Sequence, residues 1–182
     1  MLEPDDPWSN IGYWGDHQII YLLKFLEWSE RFEPSQLSAN LTREIYSYAN
    51  VPYLIGDTKT LFDTPKDTVT FDTDLQAKTE KLAAMVGSDG KLLLDSDREV
   101  YLVNLSEKLL VPLLAKLSNW VVDGGIWLNT QRPEWNDANN AIVGNGLSMV
   151  TLYYMRRYVE FLQGVFESAP EKIRLSSEVA TW

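Results

Sequence analysis

Between Gly124 and Ala141 the chain reads Gly-Gly-Ile-Trp-Leu-Asn-Thr-Gln-Arg-Pro-Glu-Trp-Asn-Asp-Ala-Asn-Asn-Ala. Trp127 and Trp135 offer flat apolar faces. Glu134 and Asp137 are carboxylates within one short run, and Arg132, Asn136, Asn139 and Asn140 add hydrogen-bonding groups. A core segment would need a buried partner for each of these polar groups, and a plain surface turn has no use for two tryptophans. Stacking faces mixed with carboxylates and amides suit a ligand with apolar ring faces and many hydroxyls, namely a sugar. The other reading is a Gly/Pro/Asn turn that starts a helix, with Asn136 and Asp137 as its cap.

A second segment has the same ambiguity. Gly12-Tyr-Trp-Gly-Asp-His17 runs straight into an apolar helical pattern. Asp16 can cap that helix, or be left to accept hydrogen bonds from a ligand. His17 is the only histidine and cysteine is absent, so no zinc-type site is expected. Arg132 can hold a phosphate or a sugar hydroxyl. Arg156 and Arg157 read as a solvated face, and Tyr153 and Tyr154 as core.

These segments need elements to position them. Apolar spacing predicts a helix from Asp16 to about Phe32, ended by Pro34, and a second from Ser38 or Asn40 to about Asn50 with Leu41, Ile45 and Tyr48 on one face. Residues 51–72 read as extended or looped, with Val69–Phe71 as a possible short strand. A helix is expected over Asp74–Met85 with Leu75, Leu82 and Met85 inward, then a turn at Ser88–Gly90. Lys91–Leu94 and Glu99–Val103 fit the arms of a small hairpin around Asp95-Ser-Asp97, or an insertion loop. Asn104 caps a helix expected to reach Trp120, kinked or split by Pro112, and Gly124-Gly125 stops it. The last long helix is expected from Asp137 to Ser168, apolar nearly all round at its start and so buried on most sides.

The chain has 182 residues and a net charge of −10. The length suits a single helical domain over 1–182. The charge argues against nucleic acid or an anionic membrane surface as partner. No apolar run reaches the roughly 18 residues of a membrane span, and the N-terminal sequence lacks the basic-then-apolar form of a secretory signal. A cytoplasmic location is therefore expected. Seven tryptophans favour a ligand site or a partner surface.

Together the two segments give a family likeness. Gly12-Tyr-Trp-Gly-Asp-His17 and Glu134-Trp-Asn-Asp137, the latter preceded by Gly-Gly-Ile-Trp127, resemble inverting glycoside phosphorylases of the cellobiose and chitobiose phosphorylase type. More loosely, they resemble the glycoside hydrolases built on the same six-hairpin α/α barrel. The resemblance implies that Asp137 is the general acid, that Trp135 contacts the sugar, and that Asp16 and Trp14 lie in the pocket for the glycone. It implies inorganic phosphate as a possible co-substrate and no other cofactor. Where the family has Gly and then Asp before Trp-Asn-Asp, this chain has Pro133-Glu134, so phosphorolysis and hydrolysis both stay open. Glu134 can raise the pKa of Asp137 by repulsion, against the pull of a helix N-terminus, which favours the anion.

The expected fold is all-α: an incomplete (α/α)6 six-hairpin barrel, with a small irregular or β insertion around 51–72 and 90–103. Twelve helices take roughly 350 residues or more, so this chain reads as part of a larger barrel. The expected partners are an oligosaccharide or glycoside and the remainder of the barrel, or a second copy through self-association. The competing expectation is a non-catalytic helical domain that binds carbohydrate or another protein.

Overall fold

The computed structural model describes residues 15–63, 69–128 and 145–182. The fold is mostly helical with two small antiparallel β pairs. Helix α1 (Gly15–Phe32) carries Ile19, Leu23 and Leu26 on one stripe, all at most 3% exposed. Helix α5 (Leu105–Leu117) contributes Leu105, Leu109 and Leu113, and α6 (Met149–Phe166) contributes Met155, Tyr158, Leu162 and Val165. Leu37, from the short α2 (Gln36–Asn40), joins the same core together with Leu41 and Ile126. This core is where α1, α5 and α6 meet.

The chain between α2 and α5 forms the β-containing part. Strand β1 (Tyr53–Ile55) pairs antiparallel with β2 (Val69–Phe71), Leu54 opposite Thr70. Between them lies α3 (Thr58–Asp63), a helix the sequence reading missed. Its start is marked by Asp57, whose Oδ1 accepts from Thr60 N at 2.8 Å and Thr60 Oγ1 at 2.9 Å. These bonds favour the anion and hold the Asp57 carboxyl below its ordinary range.

The stretch expected as a helix from Ser38 or Asn40 to about Asn50 is helical only to Asn40, the end of α2. Tyr46 and Val103 exchange backbone bonds (Tyr46 N to Val103 O 3.0 Å, Val103 N to Tyr46 O 2.8 Å), Leu93 N donates to Tyr48 O, and Asn50 N donates to Lys91 O. The segment is extended because the 91–103 hairpin uses its backbone groups. That hairpin forms as expected, with Leu94 opposite Val100.

Helix α4 (Thr73–Val86) is capped by Asp72, which accepts from Leu75 N at 2.9 Å. Its expected inward face is corrected: Met85 is 74% exposed. The helix packs on the 3₁₀ turn Ser88–Lys91 instead of the main core. Gly90 is buried there, and a Cβ at that position would lie 2.6 Å from the backbone nitrogen of Ala83.

Pro112 does not split α5, which runs unbroken from Leu105 and stops at Leu117, short of Trp120. The last helix begins at Met149 and not at Asp137, because Leu147–Ser148 forms strand β4, paired with β3 (Ile126–Trp127). Its first turn is less buried than its composition suggests: Met149, Val150 and Tyr153 are 42, 57 and 62% exposed. The short α7 (Ser177–Thr181) follows, capped by Ser176.

Tyr158 is fully buried, and its hydroxyl donates to Leu109 O at 2.9 Å, tying α6 to α5. Burial pushes its pKa well above the ordinary tyrosine value. The folded state therefore favours the neutral phenol. This contribution is complete below the unfolded tyrosine value near 10 and is lost as pH rises from there toward the folded value. Each pH unit in that window removes up to about 1.4 kcal/mol. Tyr158→Phe should be less stable at pH 8 by about 1 kcal/mol through the lost hydrogen bond, yet lose less stability between pH 10 and 11 than the parent. Urea midpoints at the three pH values measure both, and parallel losses in the two proteins would contradict the assignment.

Candidate functional site

Of the sequence-derived site residues, Trp14, Arg132, Glu134, Trp135, Asn136, Asp137 and Asn140 lie outside the described residues. Asp16 falls in the first turn of α1. Trp127 lies in β3, half-buried, opposite Leu147, with its backbone N–H donating to Asn119 O at 2.8 Å.

The residues that flank 129–144 in sequence are tied to one another. Val121 N donates to Gly125 O at 2.8 Å and Gly124 N to Val121 O at 3.0 Å, which folds 121–125 into a tight turn. Beyond it, Ile126 is fully buried and pairs with Ser148, Trp127 pairs with Leu147, and Leu128 N donates to Gly146 O at 3.0 Å. Leu128 and Gly146, on either side of 129–144 in sequence, are thus adjacent. The glycine pair earns its place sterically. A Cβ on Gly124 would sit 2.7 Å from Leu147 Cδ1, and one on Gly125 would sit 3.2 Å from Ser148 O. A side chain at Gly124 would displace the end of the Leu147 side chain, and one at Gly125 would require Ser148 O or Met149 Sδ to give by a few tenths of an ångström.

Ser148 then caps α6: its hydroxyl accepts from Thr151 N at 3.1 Å and bonds Thr151 Oγ1 at 2.8 Å. The cap of the helix that reaches Phe166 is therefore Ser148, and the role of cap for that helix does not fall on Asn136 or Asp137.

Helices α1 and α6 run parallel. Arg157 Nη2 donates to Glu27 Oε1 at 2.8 Å, the Ser38 and Ser168 hydroxyls are 2.8 Å apart, and Arg174 Nη1 donates to Glu44 Oε1 at 3.2 Å, each pair separated by 130 residues in sequence. Lys24 over the Tyr154 ring keeps the same register. A constant offset means that the two chains advance in the same direction. It sets the Asp16 end of α1 level with the β4 entry to α6. The start of α1 and the start of α6, which border residues 1–14 and 129–144 in sequence, thus lie at the same end of a helix pair.

The described residues hold a second arrangement that the sequence reading missed. An open groove of about 620 Å³ is bounded by the 93–101 hairpin, the first turn of α5 and α7, with Tyr48, Tyr101, Glu107 and Glu178 among its walls. Glu107 is 2% exposed; its Oε2 accepts from Ser176 N at 2.6 Å, and Tyr48 Oη donates to its Oε1 at 3.4 Å. It stands in the first turn of α5, where Asn104 Oδ1 accepts from Glu107 N at 3.0 Å. Its carboxylate also meets the cap of α7. Two helix N-termini therefore share one buried anion, which suits their dipoles.

Burial, then the charge and hydrogen bond of Glu107, push the Tyr48 hydroxyl well above its ordinary value. Desolvation lowers the pKa of Lys108, whose ammonium sits 3.9 Å from the Tyr48 ring centroid and donates to Ser47 O at 2.9 Å. The groups that could have drawn attention to this node are the Asn104-x-x-Glu107 capping pattern and the tyrosine at 48. Glu107→Gln should cost about 1.5–3 kcal/mol, because an amide is a weaker acceptor for Ser176 N. Denaturant unfolding would show a lower midpoint, and an unchanged midpoint would mean that the carboxylate is not what holds the cap of α7.

Among the described residues, no helix is long and apolar enough to cross a membrane, and no group of three acidic, histidine or cysteine side chains is placed to hold a metal ion. Neither the models of known protein families nor the curated proteins include a match to this chain.

Proposed function

We propose that this chain is part of a carbohydrate-active enzyme that cleaves glycosidic bonds with inversion, and that it belongs to an α/α barrel of which these helices form one section. The observation that supports this reading is the parallel register of α1 and α6. It sets the start of α1 level with the start of α6, and these are described residues that border the Trp14 and 129–144 segments in sequence. The pairing of β3 with β4, on either side of 129–144 in sequence, supports it further, since residues that position a substrate need a fixed frame.

In this reading Asp137 gives its proton to the leaving oxygen as the bond from that oxygen to the anomeric carbon breaks. Phosphate or water forms the new bond from the opposite face, and a water nucleophile loses its proton to a base. Trp135 and Trp127 supply stacking faces, Asp16 and the amides of Asn136 and Asn140 bind hydroxyls, and Arg132 suits a phosphate.

The test is product analysis on the intact polypeptide that carries this sequence. It is incubated with a panel of β- and α-linked disaccharides of glucose and N-acetylglucosamine, with and without inorganic phosphate, and followed by proton NMR in the first minutes. The expected product has the anomeric configuration opposite to that of the bond consumed. Retention of configuration, or no turnover across the panel under either condition, would overturn the reading.

A further inference from the structure

Helix α1 is apolar on two opposite faces, one in the core and the other largely exposed. Ile19, Leu23 and Leu26 face the core, while Tyr21, Phe25, Trp28 and Phe32 are 60, 71, 67 and 91% exposed. The steps between those four are four, three and four residues. That spacing forms one straight seam, running about 16 Å along the helix. Aromatic side chains each present about 150–250 Å², so the seam leaves several hundred Å² of ring surface in water, an amount that marks an interaction site. A straight row at one-turn intervals matches the knobs of a second helix.

The flanks of the seam set the charge of that helix. Lys24 and Arg31 stand on the same side, each one position before an aromatic of the seam, and the other side has Leu22 and Ser29. The Lys24 ammonium is 5.9 Å from the Tyr154 ring centroid, and the Arg31 guanidinium is 5.6 Å from that of Trp28. Among the described residues neither is ion-paired with a carboxylate. A second copy of the chain fits badly. Antiparallel seams would set Phe25 against Trp28 and Tyr21 against Phe32, but they would also bring Lys24 beside Arg31 of the other copy and join two chains of charge −10.

We propose that the Tyr21–Phe32 seam of α1 docks an amphipathic α-helix that carries carboxylates beside its own apolar seam. The inference is independent of the sugar-cleaving reading, since it uses the opposite face of α1 from the core and none of the 124–141 residues.

Two designed peptides of about 21 residues, three heptads with Leu at both seam positions, test it on the full chain. One has Glu at the seam-flanking positions and the other has Lys. Binding is read by fluorescence anisotropy of a labelled peptide, with sedimentation of the protein alone in parallel. The Glu peptide should bind more tightly. Trp28→Ser should weaken it by about 30-fold, as loss of a central aromatic anchor does. Lys24→Glu with Arg31→Glu should move preference toward the Lys peptide by about 2- to 5-fold per charge pair; this variant leaves the seam intact and serves as the control for misfolding. Failure of both peptides to bind, equal binding of both, or a dimer of the chain alone that Trp28→Ser abolishes would each overturn the proposal.

Discussion

Asp137→Asn should lower turnover by about 100- to 10,000-fold, the usual cost of removing a positioned acid, while sugar binding survives. Asparagine keeps the size and most of the hydrogen bonding of aspartate but has no proton to give the leaving oxygen. Trp135→Ala should act the other way, weakening binding with the acid still in place. Glu134→Gln distinguishes the two carboxylates. If Glu134 only raises the pKa of Asp137, its neutralisation leaves activity in place and moves the alkaline limb of the rate profile to lower pH, because the acid now loses its proton sooner. If Glu134 is the acid, its variant loses turnover and Asp137→Asn is mild. Rate–pH profiles of the three proteins on one established substrate decide between these outcomes. Normal turnover in both carboxylate variants would remove the acid from this segment altogether.

Leu23→Ala should cost about 2–5 kcal/mol, whereas Phe25→Ala, two positions along the same helix, should cost less than about 0.5 kcal/mol. Leu23 is 0% exposed within the α1–α5–α6 core, and Phe25 is 71% exposed on the far side. For a chain of this size the first substitution lowers the melting temperature by about 5–15 °C, and the second leaves it almost unchanged. A thermal scan of the two variants compares the faces directly. A larger loss at Phe25 than at Leu23 would mean that the helix is turned the other way.

Much of the scaffold was legible because the deciding forces are local. Ile19, Leu23 and Leu26 repeat at helical spacing, Pro34 stops the run, and α1 ends at Phe32. Asn104 was legible as a cap for the same reason, since it bonds an N–H three residues away.

The failures share a different cause. Leu41, Ile45 and Tyr48 have helical spacing too, but the backbones of Tyr46, Tyr48 and Asn50 bond Val103, Leu93 and Lys91, and no local pattern announces that. A two-residue strand has no period, so β4 vanished into the apolar run before α6, and with it the cap at Ser148. Glu107 was illegible as a shared anchor because its partner Ser176 lies 69 residues away. Of the candidate site, the glycine pair and Trp127 were recognised as unusual. That the glycines make room for Leu147 and Ser148 follows only from the fold.

The segment from Ser176 to Trp182 is fastened to α5 at both ends. Ser176 N is held by Glu107 in the first turn, and Trp182 Nε1 donates to Ser118 Oγ at 2.9 Å just past the last. Between those two anchors lies Pro112, the one position of α5 with no N–H to give the preceding turn. The chain is thus splinted where its own ladder has a missing rung. A helix of this kind resists fraying as a unit: for the amides after Pro112 to exchange with solvent through a local opening, the splint must detach first, so their protection follows the hold of the tail and not the intrinsic strength of the helix.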